Sequence, residues 1–564
     1  MRKKNIIIVD VDALMPSRTG VGGNLSCVSP FLDSLASKGL NFSNAFTMGN
    51  PTEFALPGLF ASSYLLDNGG YRNGIADREV AFAEVLKRIG YSTSAFFTIF
   101  RPKNDEYHRG FDDFYHLYDL QVTEKNFMNT ANWYVDALGR GSIETAECKS
   151  ELSIYYKEYL EDVQRYCESW IDYGENGILP ESRIFNNINY RMVSERVKMN
   201  LESLAANPDK VIEPILTGGR IGLSEIVNKE VCRRKKLLKP TFLDLKFRAQ
   251  ILRYCGAMFN RSTSRDSGKN TFALALDRIL HGQSNLLLRY PSGGYILEAF
   301  KRWHGKHKEG KPFYSYIKLL DAHELNLYSH DLNQQKDEQK QEYEIFKKCL
   351  RDLCSEKNYK GNLLYDCSIR YVDHVLHRLV DYLKKANILK DTILVITADH
   401  GGTYPNIPVR GNKSHRVNAF YDELYRIPLV FSGEGLEAKC SKSLVSSVDI
   451  GSTLLDLIGE SNPASFRGRS LLSDVERHYV MSENQGRGPC DLIRKSVRVC
   501  IRSKKIKLVY EKPPGKSEEG FVDQLYDLRN DPDEMVNLKS DVEALSDSED
   551  LLKVARARTE EIVS

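Results

Sequence analysis

Short apolar runs alternate with helical segments near the start of the chain. Asn5–Val11 and Ser92–Phe97 have the pattern of buried strands, and two segments with helical periodicity, Ser29–Lys38 and Val80–Ile89, lie between them. Strands and helices that alternate in this way form a mostly parallel sheet, because each helix carries the chain back to the same edge. Residues 1–117 are therefore predicted to form the first part of an α/β domain with helices on both faces of its sheet.

This alternation is absent from residues 118–300, which are charged and rich in tyrosine. Helical periodicity runs through Glu151–Tyr173 and Ile184–Ala205, and Phe242–Phe259 also has a helical pattern. We predict a helical insertion. It either caps the site formed by the rest of the chain and shapes its substrate pocket, or folds as a separate interaction module.

Residues 301–475 resume the alternation and are predicted to complete the α/β domain. Residues 476–564 contain two β-like runs, Val497–Arg502 and Ile506–Tyr510, and are predicted to form a small C-terminal α+β subdomain with an antiparallel sheet and a tail. The strands predicted for the second part of the α/β domain are Phe313–Leu320, Thr392–Thr397 and Ile427–Phe431, and its predicted helices are Glu342–Leu353 and Tyr365–Ala386.

Charge and cysteine content exclude several classes of protein. The chain has 79 basic and 76 acidic residues, so its totals show neither a nucleic-acid nor a membrane-surface footprint. No apolar stretch reaches the length of about 20 residues that spans a bilayer. The 11 cysteines are odd in number and lack CxxC spacing, which favours thiols in a reducing compartment. We expect a cytoplasmic protein, and the sequence gives no indication of its oligomeric state.

Two of the predicted strands end in side chains that bind metal ions. The first leads into Asp12, with Asp10 on the same strand face, and the strand that ends at residue 397 leads into Asp399 and His400. Parallel strands bring their carboxyl ends to one edge of the sheet, so these groups predict a site for one divalent metal. The imidazole favours zinc or manganese over calcium, which stays an alternative. Asp10 is either a further ligand or, as we favour, a buried hydrogen-bonding partner.

The residues around these strands resemble the sulfatase family of the alkaline phosphatase superfamily. The first strand and Ser29–Phe42 are similar to the family's opening, a strand that ends in a metal-binding Asp and a "TPNLD.LA..G..F" helix. The resemblance covers roughly residues 5–115 and 312–540. The later segments that match family motifs in order are Arg109–Phe114 ("RGFD.F"), Asp321–His323 ("D.H"), Thr397–Gly401 ("TADHG"), Phe420–Leu429 ("YDEL.R.PL"), Arg467–Leu471 ("RG.SL") and Gln524–Leu538 ("ELYDL..DP.E..NL").

The resemblance implies an alkaline phosphatase/sulfatase-like fold and a metal-dependent hydrolase or transferase. It implies that Asp12, Asp399 and His400 hold the metal ion. The alternative for Asp399 and His400 is an exposed loop pair, which their position after an apolar strand disfavours. Asp321 would be a ligand for a second metal, but its spacing to His323 differs from that of two-zinc relatives, so no full second site is expected.

The resemblance also assigns groups to the substrate. His323 and His415 match positions where the family holds the anionic oxygens of the substrate or protonates the leaving group. Lys413, two residues before His415, is expected to bind substrate as well. The alternative for each histidine is an exposed loop residue.

The expected nucleophile of the family is missing. Sulfatases carry Cys (or Ser)-x-Pro-x-Arg, whose first residue is oxidised to formylglycine. Aligned on Pro57, this residue falls on Ala55 and the arginine on Leu59; aligned on the helix that follows, they fall on Thr52 and Leu56. Neither alignment offers an oxidisable residue together with its arginine, so formylglycine chemistry is not expected.

Thr52 is the best remaining nucleophile, because it precedes the apolar, helix-like run Leu56–Leu65. Coordination to the metal would deprotonate a hydroxyl at this position, and the helix N-terminus would favour the developing anion. Thr52 is therefore predicted to be both nucleophile and metal ligand. The alternative is a structural role as the N-cap of the helix.

These features together predict a metal-dependent enzyme that acts on an anionic ester, a phosphate or a sulfate. The missing formylglycine motif favours phosphoryl transfer, either to water or to an acceptor alcohol. A saccharide or a lipid-linked intermediate is the expected organic part, and no nucleic-acid partner is expected. Two alternatives stay open: a sulfuric ester hydrolase that works without formylglycine, and a catalytically inactive protein that uses the fold for binding.

Overall fold

The protein is built around a mixed β-sheet of nine strands, counted within the residues that the computed structural model describes. Those residues are 3–23, 28–98, 106–117, 120–179, 189–217, 291–307, 310–323, 345, 348–349, 351–353, 355–356, 363–402, 419–473, 475–486, 490–515 and 518–563. The strands of this central sheet are β1 (Asn5–Val11), β2 (Leu40–Phe46), β3 (Ser92–Phe97), β4 (Asp113–His116), β5 (Phe313–Leu319), β6 (Thr392–Thr397), β7 (Arg426–Ile427), β8 (Leu429–Ser432) and β9 (Lys439–Ser446).

The middle of the sheet is parallel. Strands β4, β3, β5, β1 and β6 lie side by side in that order and all pair in parallel. Beyond β6 the sheet continues through β8, β2 and β7 with antiparallel pairs, and β9 joins β2 in parallel. Every residue of the central strand β1 is buried, as expected for a strand covered on both faces. The predicted α/β fold with a mostly parallel sheet is confirmed.

The helices pack against this sheet in groups. Helices α1 and α8 contact α9, and α2 contacts both α3 and α11. No described helix is long and apolar enough to cross a membrane. The helices are α1 (Pro30–Lys38), α2 (Thr52–Ala61), α3 (Phe82–Arg88), α4 (Leu120–Gly139), α5 (Thr145–Glu175), α6 (Tyr190–Ala206), α7 (Pro208–Leu216), α8 (Gly293–Lys306), α9 (Leu363–Lys385), α10 (Asp422–Tyr425), α11 (Asp449–Leu457), α12 (Val542–Asp547) and α13 (Glu549–Val563).

Helices α4 to α7 lie in the region predicted as a helical insertion. The periodic segment Glu151–Tyr173 falls inside α5, whose tyrosine-rich face is buried. This helix docks on the edge strand β4, because Trp170 Nε1 donates to the His116 carbonyl at 2.9 Å and the Tyr173 hydroxyl donates to the Phe114 carbonyl at 2.7 Å. The predicted helix Phe242–Phe259 lies outside the described residues.

The C-terminal part forms a separate antiparallel sheet, as predicted. Its four described strands pair in sequence order, and both β-like runs of the prediction belong to it. Helix α13 packs on its two central strands. The strands are β10 (Tyr479–Asn484), β11 (Val497–Ser503), β12 (Ile506–Lys512) and β13 (Phe521–Asp527).

One predicted strand differs from the structure. Ile427–Phe431 is divided into β7 and β8 at Pro428, which has no backbone N–H to continue the ladder. The predicted helix Glu342–Leu353 lies mostly outside the described residues. No disulfide joins the cysteines within the described part of the chain.

Candidate active site

The ends of the neighbouring strands β1 and β6 bring the predicted metal ligands together. Asp12 follows β1, and Asp399 and His400 follow β6. A turn at Ala13, whose φ of 57° is in the left-handed region, lets the Ala13 N–H donate to Asp399 Oδ1 at 3.3 Å. Gly401 then packs so closely that a Cβ would lie 1.9 Å from the Glu423 carbonyl oxygen, so only glycine fits.

These three side chains form a compact, buried group. His400 Nε2 lies 3.8 Å from Asp12 Oδ1 and 3.7 Å from Asp399 Oδ2. Each of the three residues offers one ligand atom, and these atoms all lie within 4.8 Å of one another. Within the described residues no hydrogen-bond donor reaches Asp12 Oδ1. Such a buried, unsatisfied carboxylate oxygen is costly, and a cation between these atoms would remove the cost.

The tautomer of His400 supports the same conclusion. Its Nδ1 lies 2.5 Å from the Gly401 carbonyl oxygen, which can only accept a hydrogen bond, so Nδ1 carries a proton. In the neutral ring Nε2 then presents a lone pair toward the two carboxylates. A histidine held in this way by a backbone carbonyl is the usual arrangement of a metal ligand. The residues therefore fit one divalent cation with mixed nitrogen and oxygen ligands, as zinc and manganese accept.

Lys318 is a member of the site that the sequence analysis did not identify. It lies on β5 opposite Asp10 of β1. Its Nζ is 2.8 Å from Asp10 Oδ2, 3.2 Å from Asp12 Oδ2 and 2.8 Å from Asp399 Oδ2, and its side chain is 0% exposed. Asp10 Oδ2 also accepts the hydroxyl of Tyr316. Asp10 thus has the hydrogen-bonding role that the sequence favoured.

The closely spaced charges in this buried group shift the pKa values of its members. Burial raises the pKa of Asp10 to about 7, although Lys318 opposes the shift. Burial acts in the same direction on Asp399, but His400 and Lys318 hold its pKa well below the usual range. Burial would lower the pKa of Lys318, yet the three aspartates raise it, so its ammonium stays charged. Burial would lower the pKa of His400, but Asp399 and Asp12 raise it, and the net shift is upward. The site therefore contains the Lys318 ammonium and a titratable imidazole among three carboxylates.

Thr52 lies at the open side of this group. It is the first residue of α2, and Pro51 takes the N-cap position that was the alternative role for Thr52. Thr52 Oγ1 lies 3.1 Å from His400 Nε2 and 3.3 Å from Asp12 Oδ2. The hydroxyl is therefore directed at the candidate metal ligands. Ala55, the other position for the missing formylglycine precursor, is completely buried inside α2.

His323 lies on the solvent side of the same site. Its side chain is 42% exposed, its Nε2 is 3.9 Å from Asp12 Oδ1, and its ring centre is 6.3 Å from that of His400. Asp321, by contrast, accepts the Gly293 N–H at the start of α8 at 3.0 Å, which is a structural contact. Lys413 and His415 lie outside the described residues.

Glu53, the residue after Thr52, interacts with a further region of the chain. Glu53 is exposed and lies close enough to Lys495, on the segment that leads into β11, to affect its ionisation. The Lys495 ammonium lies 5.3 Å from the ring centre of Trp133 on α4. Burial lowers the pKa of Lys495 to about 8, opposed by Cys490, Asp491 and Glu53. A cation and an indole ring thus lie side by side, and the cation interacts with the residue that follows the candidate nucleophile in the chain.

Comparison with known proteins gives a consistent family. The model of the family described as Sulfatase matches residues 4–164 and 256–460, which is most of the chain. Arylsulfatase K of Bos taurus is 25% identical over 211 residues, which cover 35% of this chain and 36% of that protein. Delta 4,5-hexuronate-2-O-sulfatase of Bacteroides thetaiotaomicron is 29% identical over 206 residues, which cover 33% of this chain and 39% of that protein. The chain thus spans little more than a third of the length of these curated relatives.

Solved structures agree on the fold. A phosphonate monoester hydrolase of Agrobacterium radiobacter superposes with a TM-score of 0.51 and 16% sequence identity. The superposition covers 99% of this chain and 96% of that one. At this level of identity the likeness concerns the architecture alone.

Proposed function

The chain belongs to the sulfatase family, and from that premise we propose that it is a metal-dependent ester hydrolase with Thr52 as its nucleophile. The proposed substrate is an anionic phosphate or sulfate ester. The observation that carries the proposal is the position of Thr52 Oγ1, 3.1 Å from His400 Nε2 and 3.3 Å from Asp12 Oδ2. A hydroxyl directed at the candidate metal ligands is placed to act as a nucleophile once a metal ion is bound. A threonine that capped the helix would instead face its own helix.

Asp12, Asp399 and His400 are the residues that would hold the metal. When bound there, a divalent ion supplies the positive charge that favours an ionised hydroxyl and neutralises the ester oxygens. Helix α2 adds to this, since Thr52 lies at its N-terminus, where the peptide dipoles favour negative charge. Lys318 holds the three aspartates from behind and leaves Asp12 Oδ1 directed at the site.

His323 is the proposed general acid. The ionised Thr52 Oγ, whose proton has passed to solvent, forms a bond to phosphorus or sulfur. The bond from that atom to the ester oxygen breaks, and the leaving oxygen takes a proton from His323. Its exposed position beside Asp12 allows the ring to reach a leaving group that enters from solvent. Water or an acceptor alcohol, deprotonated by the same histidine, then attacks the modified threonine and restores it.

We favour phosphate over sulfate as the transferred group. Formylglycine is the usual nucleophile for sulfuryl transfer in this family, and neither Ala55 nor Thr52 is a precursor of it. Sulfate ester hydrolysis without formylglycine is the second candidate, because the curated relatives are named sulfatases. An inactive binding protein is disfavoured, since it would retain a costly buried charge cluster to no purpose.

The pair formed by Lys495 and Trp133 supports an anionic saccharide as the organic part of the substrate. Indole rings stack on sugar faces, and an ammonium group recognises a second acidic substituent. Trp133 and Lys495 offer these two chemistries, and Lys495 interacts with Glu53, the residue after Thr52. One curated relative is named for a hexuronate sulfate, which is a sugar of this kind.

Turnover of matched esters tests the proposal. Aryl sulfate, aryl phosphate monoester and aryl phosphodiester would be assayed with manganese- or zinc-loaded protein and with its Thr52→Ala and Thr52→Ser variants. We expect phosphate ester turnover that falls on the order of 10⁴-fold or more in Thr52→Ala, because a nucleophile is lost. Thr52→Ser, which keeps a hydroxyl, should retain part of the activity.

A matched control is Thr559→Ala. Thr559 is also a buried helical threonine, but its hydroxyl donates to the Ala555 carbonyl in α13, remote from the site in the chain. Its loss should not change turnover. Turnover of aryl sulfate that is indifferent to Thr52→Ala would reject the nucleophile and place the sulfatase alternative first.

A further inference from the structure

Lys318 has surroundings that are unusual for a lysine. It is on the inner strand β5, its side chain has no exposure, and its Nζ is within 3.2 Å of one oxygen from each of Asp10, Asp12 and Asp399. Lysine is almost never fully buried unless it is paired, and a single carboxylate is enough to pair it. When all three carboxylates around this one ammonium are ionised, two negative charges are left unmatched.

The unmatched charge equals that of one divalent ion. The oxygens divide between two sides of the cluster. Asp10 Oδ2, Asp12 Oδ2 and Asp399 Oδ2 surround the lysine, whereas Asp12 Oδ1 is directed at His400 Nε2. The cluster thus offers two cation positions that share the carboxylates of Asp12 and Asp399, and the lysine occupies one of them.

We propose that Lys318 is a built-in cation that fills the second of these positions and limits the site to a single divalent ion. The inference rests on the proposed function, since it assumes that Asp12, Asp399 and His400 bind a metal. Beyond the proposed function, it predicts how many metal ions bind and how tightly they bind. The ammonium also repels the bound ion, so removal of its charge makes the remaining position more attractive to a cation.

Metal stoichiometry tests this proposal without reference to activity. Metal-free protein would be titrated with Mn²⁺ by calorimetry, and bound manganese would be counted after gel filtration. We expect one equivalent for the natural chain and two for Lys318→Ala, because three oxygens within 3.2 Å of the absent Nζ become available. Adding Asp10→Asn to Lys318→Ala should return the count to one.

The variant Lys318→Met tests the charge of the lysine separately from its volume. Methionine fills most of the volume of the lysine, so the count should stay at one, but the affinity should increase at least about tenfold because the repulsion is gone. Lys507→Met is the matched control: Lys507 is also buried and pairs with Asp422 and Glu534 in the C-terminal part. It should leave both the count and the affinity unchanged.

The failures of the two proposals differ. No bound manganese in the natural chain would reject the proposed function. Two equivalents in the natural chain, or one equivalent at unchanged affinity in both Lys318→Ala and Lys318→Met, would reject the role of Lys318 and leave the proposed function standing. Lys318→Met keeps the test decisive if Lys318→Ala fails to fold, since its affinity alone distinguishes the outcomes.

Discussion

Two of the buried charge clusters in the described part of the chain differ in how well their carboxylates are satisfied. In the first, Arg558 donates to Glu483 Oε1 at 2.6 Å and to Asp67 Oδ1 at 2.8 Å, and Arg467 completes the partners of Asp67. The second carboxylate oxygens accept backbone N–H groups of residues 64 and 66. Every carboxylate oxygen of this Arg558 cluster (Arg558, Arg467, Asp67, Glu483) has a donor.

The Lys318 cluster (Lys318, Asp10, Asp12, Asp399, His400) is not satisfied in this way. Its three aspartates share one ammonium, and no described donor reaches Asp12 Oδ1 or Asp10 Oδ1. Both clusters connect distant parts of the chain, so both are expensive to bury. The Arg558 cluster is thus complete as a structural element, whereas the unsatisfied carboxylate oxygens of the Lys318 cluster agree with the proposed binding of a metal ion.

The largest expected effect is a loss of activity when a carboxylate of the Lys318 cluster is replaced. Asp399→Asn should abolish metal binding and lower ester turnover on the order of 10³-fold or more, because a ligand charge is lost. The free energy of unfolding without metal should stay within about 1 kcal/mol, since Lys318 keeps two carboxylates. Metal analysis, turnover and urea denaturation would be measured on the same preparation. Marked destabilisation with metal binding intact would reverse the comparison.

The opposite result is expected in the Arg558 cluster. Arg558→Met should lower the free energy of unfolding by about 3–5 kcal/mol, because two buried carboxylates lose their main partner. Metal content and turnover of the folded protein should not change. Urea denaturation with parallel metal analysis would check this. A loss of metal from folded Arg558→Met would show that the two clusters are not separate.

The effect of metal on thermal stability should also distinguish the two clusters. Saturation at about 100 times the dissociation constant stabilises the folded state by about 2.7 kcal/mol. Thermal melting should therefore rise with added metal in the natural chain and in Arg558→Met, and stay constant in Asp399→Asn. A metal-dependent rise in Asp399→Asn would place the metal elsewhere.

The smallest expected effect concerns Lys495, which lies beside Trp133. Lys495→Met should raise KM for an acidic saccharide ester about tenfold and leave kcat and small aryl esters unchanged. Because the pKa of Lys495 is about 8, its positive charge is lost as the pH rises through that value, so KM of the natural chain should rise there. This pH dependence should be absent from Lys495→Met. A KM rise that persists in the variant would assign it to another group.

The close approach of Asp12, Asp399 and His400 was predictable because these residues follow two buried strands. The apolar runs before Asp12 and Asp399 identify β1 and β6, and pairing of these strands places their ends together. Lys318 was not predictable in the same way, since a lone lysine in a strand commonly faces solvent. Its role depends on the register that sets it opposite Asp10, and register is a property of the sheet.

The same reasoning explains the strands that the prediction missed. The sequences of β2 and β9 mix polar and apolar residues without a clear alternation, although the two strands pair with each other from end to end. The division of Ile427–Phe431 depends on Pro428, which hydropathy alone does not register. The local sequence pattern therefore predicts the central strands of the sheet, whereas the strands at its edge depend on tertiary pairing.

Anomalous diffraction from crystals soaked in Mn²⁺ tests the central claim most directly. We predict one strong peak between Asp12 Oδ1, Asp399 Oδ2, His400 Nε2 and Thr52 Oγ1, with the Lys318 ammonium still among the three aspartates. No peak at this position, or a manganese ion in place of the ammonium, would contradict the account.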